Sequence, residues 1–177
     1  NVASLPSGTN LTTITFANGY GLRLNASNGA LIARNIVGDN NDHGIYVTGT
    51  TNSLVQSNEC YRNARPAQRA ANGINIYSSP NCTVESNNCH DNQDSGIQFY
   101  TGSNNCICRN NLSWNNGDHG YDHVRSTGVV HVHNVAYGNY RHGFSIQGAS
   151  TGTRINDSIA ANNGLGTGGF DLWIDSG

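Results

Sequence analysis

Lysine and methionine are absent from this chain of 177 residues, and glutamate occurs only twice. All three are strong helix formers, so their scarcity argues against a helical protein. Charge is scarce too. Charged residues make up 11% and hydrophobic residues 36% of the chain, against roughly 25% and 45–50% in ordinary domains. A net charge of −2 leaves no basic footprint for nucleic acid. A disordered chain would carry more net charge and less Val, Ile and Leu. No apolar run approaches the ~18 residues of a membrane span, so no membrane partner is expected, and no signal peptide is visible. The chain begins at Asn1 without Met, which reads as a processed or excised piece. Its length fits a single domain over residues 1–177.

Asparagine fills the gap: 28 Asn stand beside 22 Gly and only 3 Pro. Their placement is periodic. Gly21, Gly44, Gly73, Gly96, Gly120, Gly143 and Gly169 align at intervals of 23, 29, 23, 24, 23 and 26. After each comes a short alternating segment such as GIYVT, GINIY, GIQFY or GFSIQ. The first and third residues after Gly are mostly apolar, the period of a strand with one buried face. Asn40, Asn63, Asn92, Asn115, Asn139 and Asn163 form a second column, and Asn35, Asn58, Asn87, Asn110 and Asn134, with Ser158, a third. If each repeat is one turn of a solenoid, equivalent Asn side chains lie about 4.8 Å apart and bond up the stack as amide ladders do. The expected fold is all-β, a parallel β-helix of about seven coils, with residues 1–11 as an edge or cap. Leucine-rich repeats have a similar length but need a consensus that is absent.

The phrases GIYVTGTTNSLVQSNECYRN, GINIYSSPNCTVESNNCHDN and HNVAYGNYRHGFSI resemble right-handed single-stranded parallel β-helix repeats. Such repeats occur in pectate-lyase-like proteins, alginate lyases and mannuronan C5-epimerases. The resemblance implies a carbohydrate-active protein, lyase or epimerase in type, acting on an acidic, uronate-containing polysaccharide. It also implies a secreted or cell-surface location and a bacterial source. The epimerases carry an Asp-Pro-His motif after the strand glycine, a Tyr near it and an Arg-His pair on a neighbouring coil. Asp122 matches the motif Asp. His123 comes one residue early with no Pro between, His119 stands where the family has Tyr, and Arg141-His142 resembles the pair. The absence of Lys excludes lyase subtypes that use a Lys base.

Departures from the columns carry the rest. Outward positions of the post-glycine strands gather Asp, His, Arg and Tyr on one face, centred on GDHGYDHVR (117–125) and NYRHGF (139–144). The catalytic candidates are His119, Asp122, His123, Arg141 and His142. Abstraction of a uronate C5 proton needs a base, an acid for the leaving oxygen and a positive group for the carboxylate-derived charge. Arg141 or Arg125 could hold the carboxylate. His119, His142 or His123 could be the base, and Tyr100 or a second His the acid. His123 takes an inward place: it is either a buried neutral His or is turned outward by a bulge beside Asp122. His131, in the column of Ile32, Val55, Val84, Ile107 and Ile155, reads as structural. Tyr77 and Tyr100 either pack on each other or offer a stacking platform for sugar rings. With them, Arg65, Arg69, Asp94, Gln98 and Arg125 are the substrate-binding candidates. Arg65 and Arg69 sit in the inserted loop Ala64–Ala71, where they could meet an anionic chain.

Two rivals stand beside this reading. A glycoside hydrolase would use paired carboxylates among Asp94, Asp118 and Asp122, and the same three could hold Ca²⁺; no other cofactor is implied. The other rival is a non-catalytic structural or glycan-binding segment. The last repeat stops midway, with Phe170 and Leu172 reading as inward, so a fragment or end-to-end self-association is expected. Five cysteines cannot all pair. Cys60 and Cys89 share an inward column with Leu112 and Ala136 and read as free core thiols. CxC at 106–108 has no convincing metal spacing. Asn-X-Ser/Thr sequons begin at Asn10, Asn25, Asn81, Asn111 and Asn156; several fall where a glycan would obstruct stacking.

Overall fold

The computed structural model describes residues 14–15, 19–64, 71–166 and 168–175. Those residues form a parallel β-solenoid of about six turns, without a helix. Its strands assemble into three parallel sheets of seven, seven and six strands. The post-glycine strands make one sheet: Leu22–Asn25, Ile45–Thr48, Ile74–Tyr77, Ile97–Tyr100, Tyr121–Val124, Phe144–Gln147 and Leu172–Ile174. Alternate residues of each strand point inward, so Ile45, Ile74, Ile97 and Val47, Ile76, Phe99 stack as fully buried files.

Corners between the sheets are held by asparagine. Asn40, Asn63, Asn92, Asn116, Asn139 and Asn163 form a continuous ladder, each Nδ2 donating to the next Oδ1 at 2.8–3.0 Å. A second ladder joins Asn35, Asn58, Asn87, Asn111 and Asn134, and Ser158 ends it by accepting from the Asn134 backbone. Each Oδ1 also accepts the backbone N–H of the preceding ladder residue, as Asn92 does from Asn63 and Asn116 from Asn92. The glycine column exists to make room. A Cβ on Gly73 would lie 2.7 Å from both Asn92 Nδ2 and the Gly96 carbonyl oxygen.

Register corrects the columns at five places. The ladder residues are Asn111 and Asn116, not Asn110 and Asn115. The latter two have φ of 56° and 52° and take the left-handed corner position held in other coils by Ser57, Ser86, Arg62 and Asp91. In an Asn-Asn doublet both residues are suited to either job, so sequence alone chose the wrong member. Ser113 rather than Leu112 therefore continues the Cys60–Cys89 file, and Cys108 rather than Ile107 the file of His131. Leu112 and Ile107 are exposed. Leu172, not Phe170, pairs with Phe144. Gly169 is thus not the column glycine; Phe170 is exposed rather than inward, whereas Leu172 takes the inward register and is exposed at the end of the stack.

His123 and His131 meet inside the solenoid, both fully buried. Their Nε2 atoms are 2.8 Å apart. His123 Nδ1 lies 3.0 Å from the Ser145 carbonyl oxygen, so it carries the proton there. His123 Nε2 must then accept from His131 Nε2–H, and His131 Nδ1 accepts from Asn134 Nδ2 at 3.2 Å. One neutral tautomer of each ring satisfies the whole chain. Burial pushes both imidazoles below their ordinary range. The expected placement of His131 in the core agrees with this. His123 occupies the inward position without a bulge, in unbroken register with Phe99 and Ile146.

Two predictions follow from the interior. Asn92→Ala removes a buried amide and takes the acceptor from both the Asn63 backbone N–H and Asn63 Nδ2, as well as a donor from the Cys60 carbonyl oxygen. Urea unfolding should show a loss of about 3 kcal/mol or more, and a smaller one for Asn163→Ala at the exposed end of the ladder. Cys60, Cys82, Cys89, Cys106 and Cys108 are all buried and unbridged, and burial raises the Cys89 and Cys108 thiols. Thiol titration of unfolded, unreduced protein should give five; three or one would mean bridged pairs.

Candidate functional site

The outward face of the glycine sheet carries the candidate residues in three files. The file before glycine runs Tyr20, His43, Asn72, Ser95, His119, His142 and Phe170, set by backbone bonds between successive coils. The second after glycine runs Arg23, Tyr46, Asn75, Gln98, Asp122, Ser145 and Trp173; the fourth runs Asn25, Thr48, Tyr77, Tyr100, Val124 and Gln147.

The histidines of the first file do a structural job that determines their chemistry. His43 Nδ1 accepts the backbone N–H of Asn72 at 2.8 Å, His119 that of His142 at 3.3 Å, and His142 that of Phe170 at 3.0 Å. Asn72 does the same for Ser95 through its Oδ1. A neutral imidazole that accepts at Nδ1 must carry its proton on Nε2. His43, His119 and His142 therefore have no free lone pair and present N–H donors. This corrects the expectation of a histidine base on this face. The other candidate base, His123, is excluded by its place in the core.

Around His119 the groups converge. Its ring stacks on His142 at 4.9 Å, and His142 stacks on Trp173 at 4.9 Å. Asp118 Oδ1 lies 3.6 Å from His119 Nε2 and 3.4 Å from Arg141 Nε. His119 and His142 are only 3% and 6% exposed, whereas the Arg141 side chain is 47% exposed and open to a ligand. Burial, then the neighbouring His119, holds His142 below its ordinary range. Asp122 is 3% exposed and locked, accepting from Gln98 Nε2 and Gln147 Nε2 at 2.7 Å each. Among the described residues no group of three His, Cys, Asp or Glu side chains could hold a metal ion. Asp122, with both oxygens engaged, is no free ligand for Ca²⁺.

Beside this cluster lies a cleft of about 350 Å³ lined by His43, Tyr46, Asn75, Tyr77, Asp94, Gln98 and Tyr100. Four substrate-binding candidates thus meet: Tyr77, Asp94, Gln98 and Tyr100. Tyr77 stacks on Tyr100 at 5.5 Å between centroids, and Tyr46, tilted by 37° against Tyr77 at 6.3 Å, stacks on Tyr20 and His43. Rings stacked this way spend faces on each other and offer hydroxyl-bearing edges, so packing prevails over a sugar-stacking platform. Arg125 stands apart, exposed on a left-handed turn after its strand. Arg65 and Arg69 lie outside the described residues. His43 and Tyr46 were missed as site residues, although a signal exists. Asp42-His43-Gly44 repeats the triplet Asp118-His119-Gly120, and both Asp-to-Nε2 distances are alike, 3.7 and 3.6 Å.

Comparison with known proteins places this geometry. The right-handed β-helix region family matches residues 6–120 and 67–177. The chain belongs to that family. No curated protein matches it by sequence. The periplasmic alginate epimerase AlgG is similar in structure, with a TM-score of 0.71 at 20% identity over 83% of this chain and 44% of that one. The enzymatically active domain of tailspike protein 2 of bacteriophage CBA120 gives 0.68 at 12% identity over 85% and 23%. Pectate lyase Pel9A gives 0.50 at 14% over 88% and 60%. The chain therefore spans less than two thirds of each of these structures.

His43 supplies a pH test. Burial lowers its pKa to about 4, from roughly 6.5 when unfolded. Its neutral form is the folded one, so its stabilising contribution is complete above the unfolded value and declines as pH falls toward 4. His142, His123 and His131 are shifted in the same direction. His43→Asn keeps a backbone acceptor, as Asn72 does, and removes one titration. Between pH 7 and 4.5 the variant should lose less stability than the parent, by about 2 kcal/mol. Parallel stability curves would refute the assignment.

Proposed function

We propose that this β-helix acts on an acidic, uronate-containing polysaccharide laid along the outward face of the glycine sheet. The observation that carries the reading is Arg141 beside two outward Nε2–H donors, His119 and His142, next to a tyrosine-lined cleft. A guanidinium and two neutral N–H donors suit a carboxylate whose charge grows as its C5 proton leaves. The three structural relatives, named as an epimerase, a phage tailspike and a lyase, support a polysaccharide as the partner. The words periplasmic and tailspike support an exported or surface setting.

With the imidazole lone pairs engaged, the carboxylate beside the Arg141 unit is Asp118, 3.4 Å from Arg141 Nε. In a lyase step a carboxylate there takes the C5 proton. The electron pair forms the C4–C5 double bond, the C4–O bond breaks, and a proton donor protonates the leaving oxygen. In an epimerase step a donor returns a proton to the opposite face of C5. A hydrolase pair is less well supported, because Asp122 is locked by two amides and Asp118 is engaged with Arg141. Binding without turnover is the second reading, favoured by the spent lone pairs of His119 and His142.

The test is incubation with polymannuronate, polygalacturonate and glycosaminoglycans. Unsaturated-product absorbance marks a lyase and deuterium uptake at C5 an epimerase. Arg141→Gln should lower kcat/KM by about 10² or more with stability within ~0.5 kcal/mol, because the side chain is half exposed. His119→Ala should lower both activity and melting temperature, since its Nδ1 caps a buried backbone N–H. Activity on a uronate polymer that survives Arg141→Gln would sink the role of Arg141; binding without turnover would leave the second reading.

A further inference from the structure

The two halves of the face differ in charge. Arg141 gives the His119 side a cation. The cleft has none among its described lining residues: His43 is neutral above a pH of about 4, and Asp94 adds negative charge. Such a cleft disfavours a second carboxylate and suits a ligand group that is uncharged.

The hydrogen bonding of the cleft states what that group must supply. Asp122 can only accept, so Gln98 must turn its Nε2 toward it, at 2.7 Å. Gln98 Oε1 then faces the cleft and accepts from Asn72 Nδ2 and Asn75 Nδ2, both at 2.9 Å. This fixes the Asn75 amide, whose Oδ1 points away and has no hydrogen-bond partner. Asn75 is 5% exposed, so an orphaned acceptor here is costly unless a ligand donates to it. The tyrosine edges of Tyr46, Tyr77 and Tyr100 line the same space. A hydroxyl or an amide N–H of a sugar is the donor that fits.

We infer that this cleft holds an uncharged, hydroxyl- or amide-bearing sugar unit two to three coils, or about 10–14 Å, from the unit whose carboxylate meets Arg141. The substrate class is then a heteropolysaccharide in which uronate and uncharged units both occur, rather than a homopolyuronate. The inference rests on the proposed acidic-polysaccharide reading and narrows it. Asp122, which touches neither unit, is a positioning residue: through Gln98 it orients the Asn75 acceptor.

Binding of the intact protein to three sets of oligosaccharides tests this by calorimetry. The sets are mannuronate and galacturonate oligomers; mixed oligomers from hyaluronan, chondroitin and glucuronoxylan; and chito-oligomers, which carry no charge. A mixed oligomer should bind at least tenfold more tightly than any homouronate. Asn75→Leu should lower affinity for it about tenfold, the loss of one hydrogen bond to a buried acceptor, while homouronate binding changes less than twofold. Tyr46→Phe, which keeps the ring packing, should lower it in the same selective way and guards against a folding defect in the first variant. Homouronates that bind as tightly as mixed oligomers, or lose equally in both variants, overturn the inference and leave the acidic-polysaccharide reading standing. Asn75-dependent binding of chito-oligomers alone keeps the cleft and sinks that reading. No binding in any set sinks both.

Discussion

An amide side chain that copies the backbone amide is what the solenoid depends on. Between the ends of each ladder, every Asn donates and accepts along the stacking direction, as the peptide groups of the sheets do beside it. The corner is thereby hydrogen-bonded as continuously as the strands, although its backbone has left the β region. Left-handed residues sit immediately before the ladder positions: Asp39, Arg62, Asp91, Asn115 and Asn162 before one ladder, Arg34, Ser57, Ser86, Asn110, His133 and Asp157 before the other. Each costs on the order of 1 kcal/mol for a side chain with a Cβ. The buried ladder bonds offset that cost at every turn. Glycine is then required where the ladder amide fills the space a Cβ would take.

The same need explains the chemistry of the outer face. Where the first-file corner lacks a ladder Asn, the backbone N–H of the next coil must still find an acceptor. Asn72 supplies one with Oδ1 and the three histidines supply one with Nδ1. A residue placed to cap a backbone group is thus delivered to the surface with its proton already assigned. The donor character of His119 and His142 is a consequence of the fold, made before any ligand arrives, and it costs no reorganisation on binding.

The columns of the solenoid were legible because a repeat multiplies a weak signal. Glycine, asparagine and alternating apolar positions each recur in phase, and the sheets follow from that. Legibility failed where two neighbours could fill one role. In Asn110-Asn111 and Asn115-Asn116 the choice depends on which backbone turns left-handed, which the next coil's register decides. It failed again near Gly169, because the loop through Gly164 and Gly166 lengthens the last turn and shifts Leu172 into the place of Phe144's partner. The site was legible as a face but not as chemistry. Which nitrogen of His119 carries the proton depends on the main chain of the coil above it. That His123 points inward follows from unbroken strand register, which its neighbour Asp122 gave reason to doubt.

Charge scarcity gives the face its meaning. A solenoid stacks like positions at a fixed repeat, so a charged file would normally repeat the same charge coil after coil and repel itself. Here the outward files change character along the axis instead. Tyrosine and amide groups occupy the coils of Gly44 to Gly96, and Asp118, His119, Arg141 and His142 the next two. A side-chain relay from Asp122 through Gln98 to Asn72 and Asn75 links the halves. Because parallel coils all run the same way, this order has a direction. A ligand lying along the axis would meet a cation at one end and tyrosine and amide groups at the other, and reversing it would exchange those partners. A face ordered in this way has the asymmetry needed to tell the two directions of a bound chain apart, which a uniform basic groove lacks.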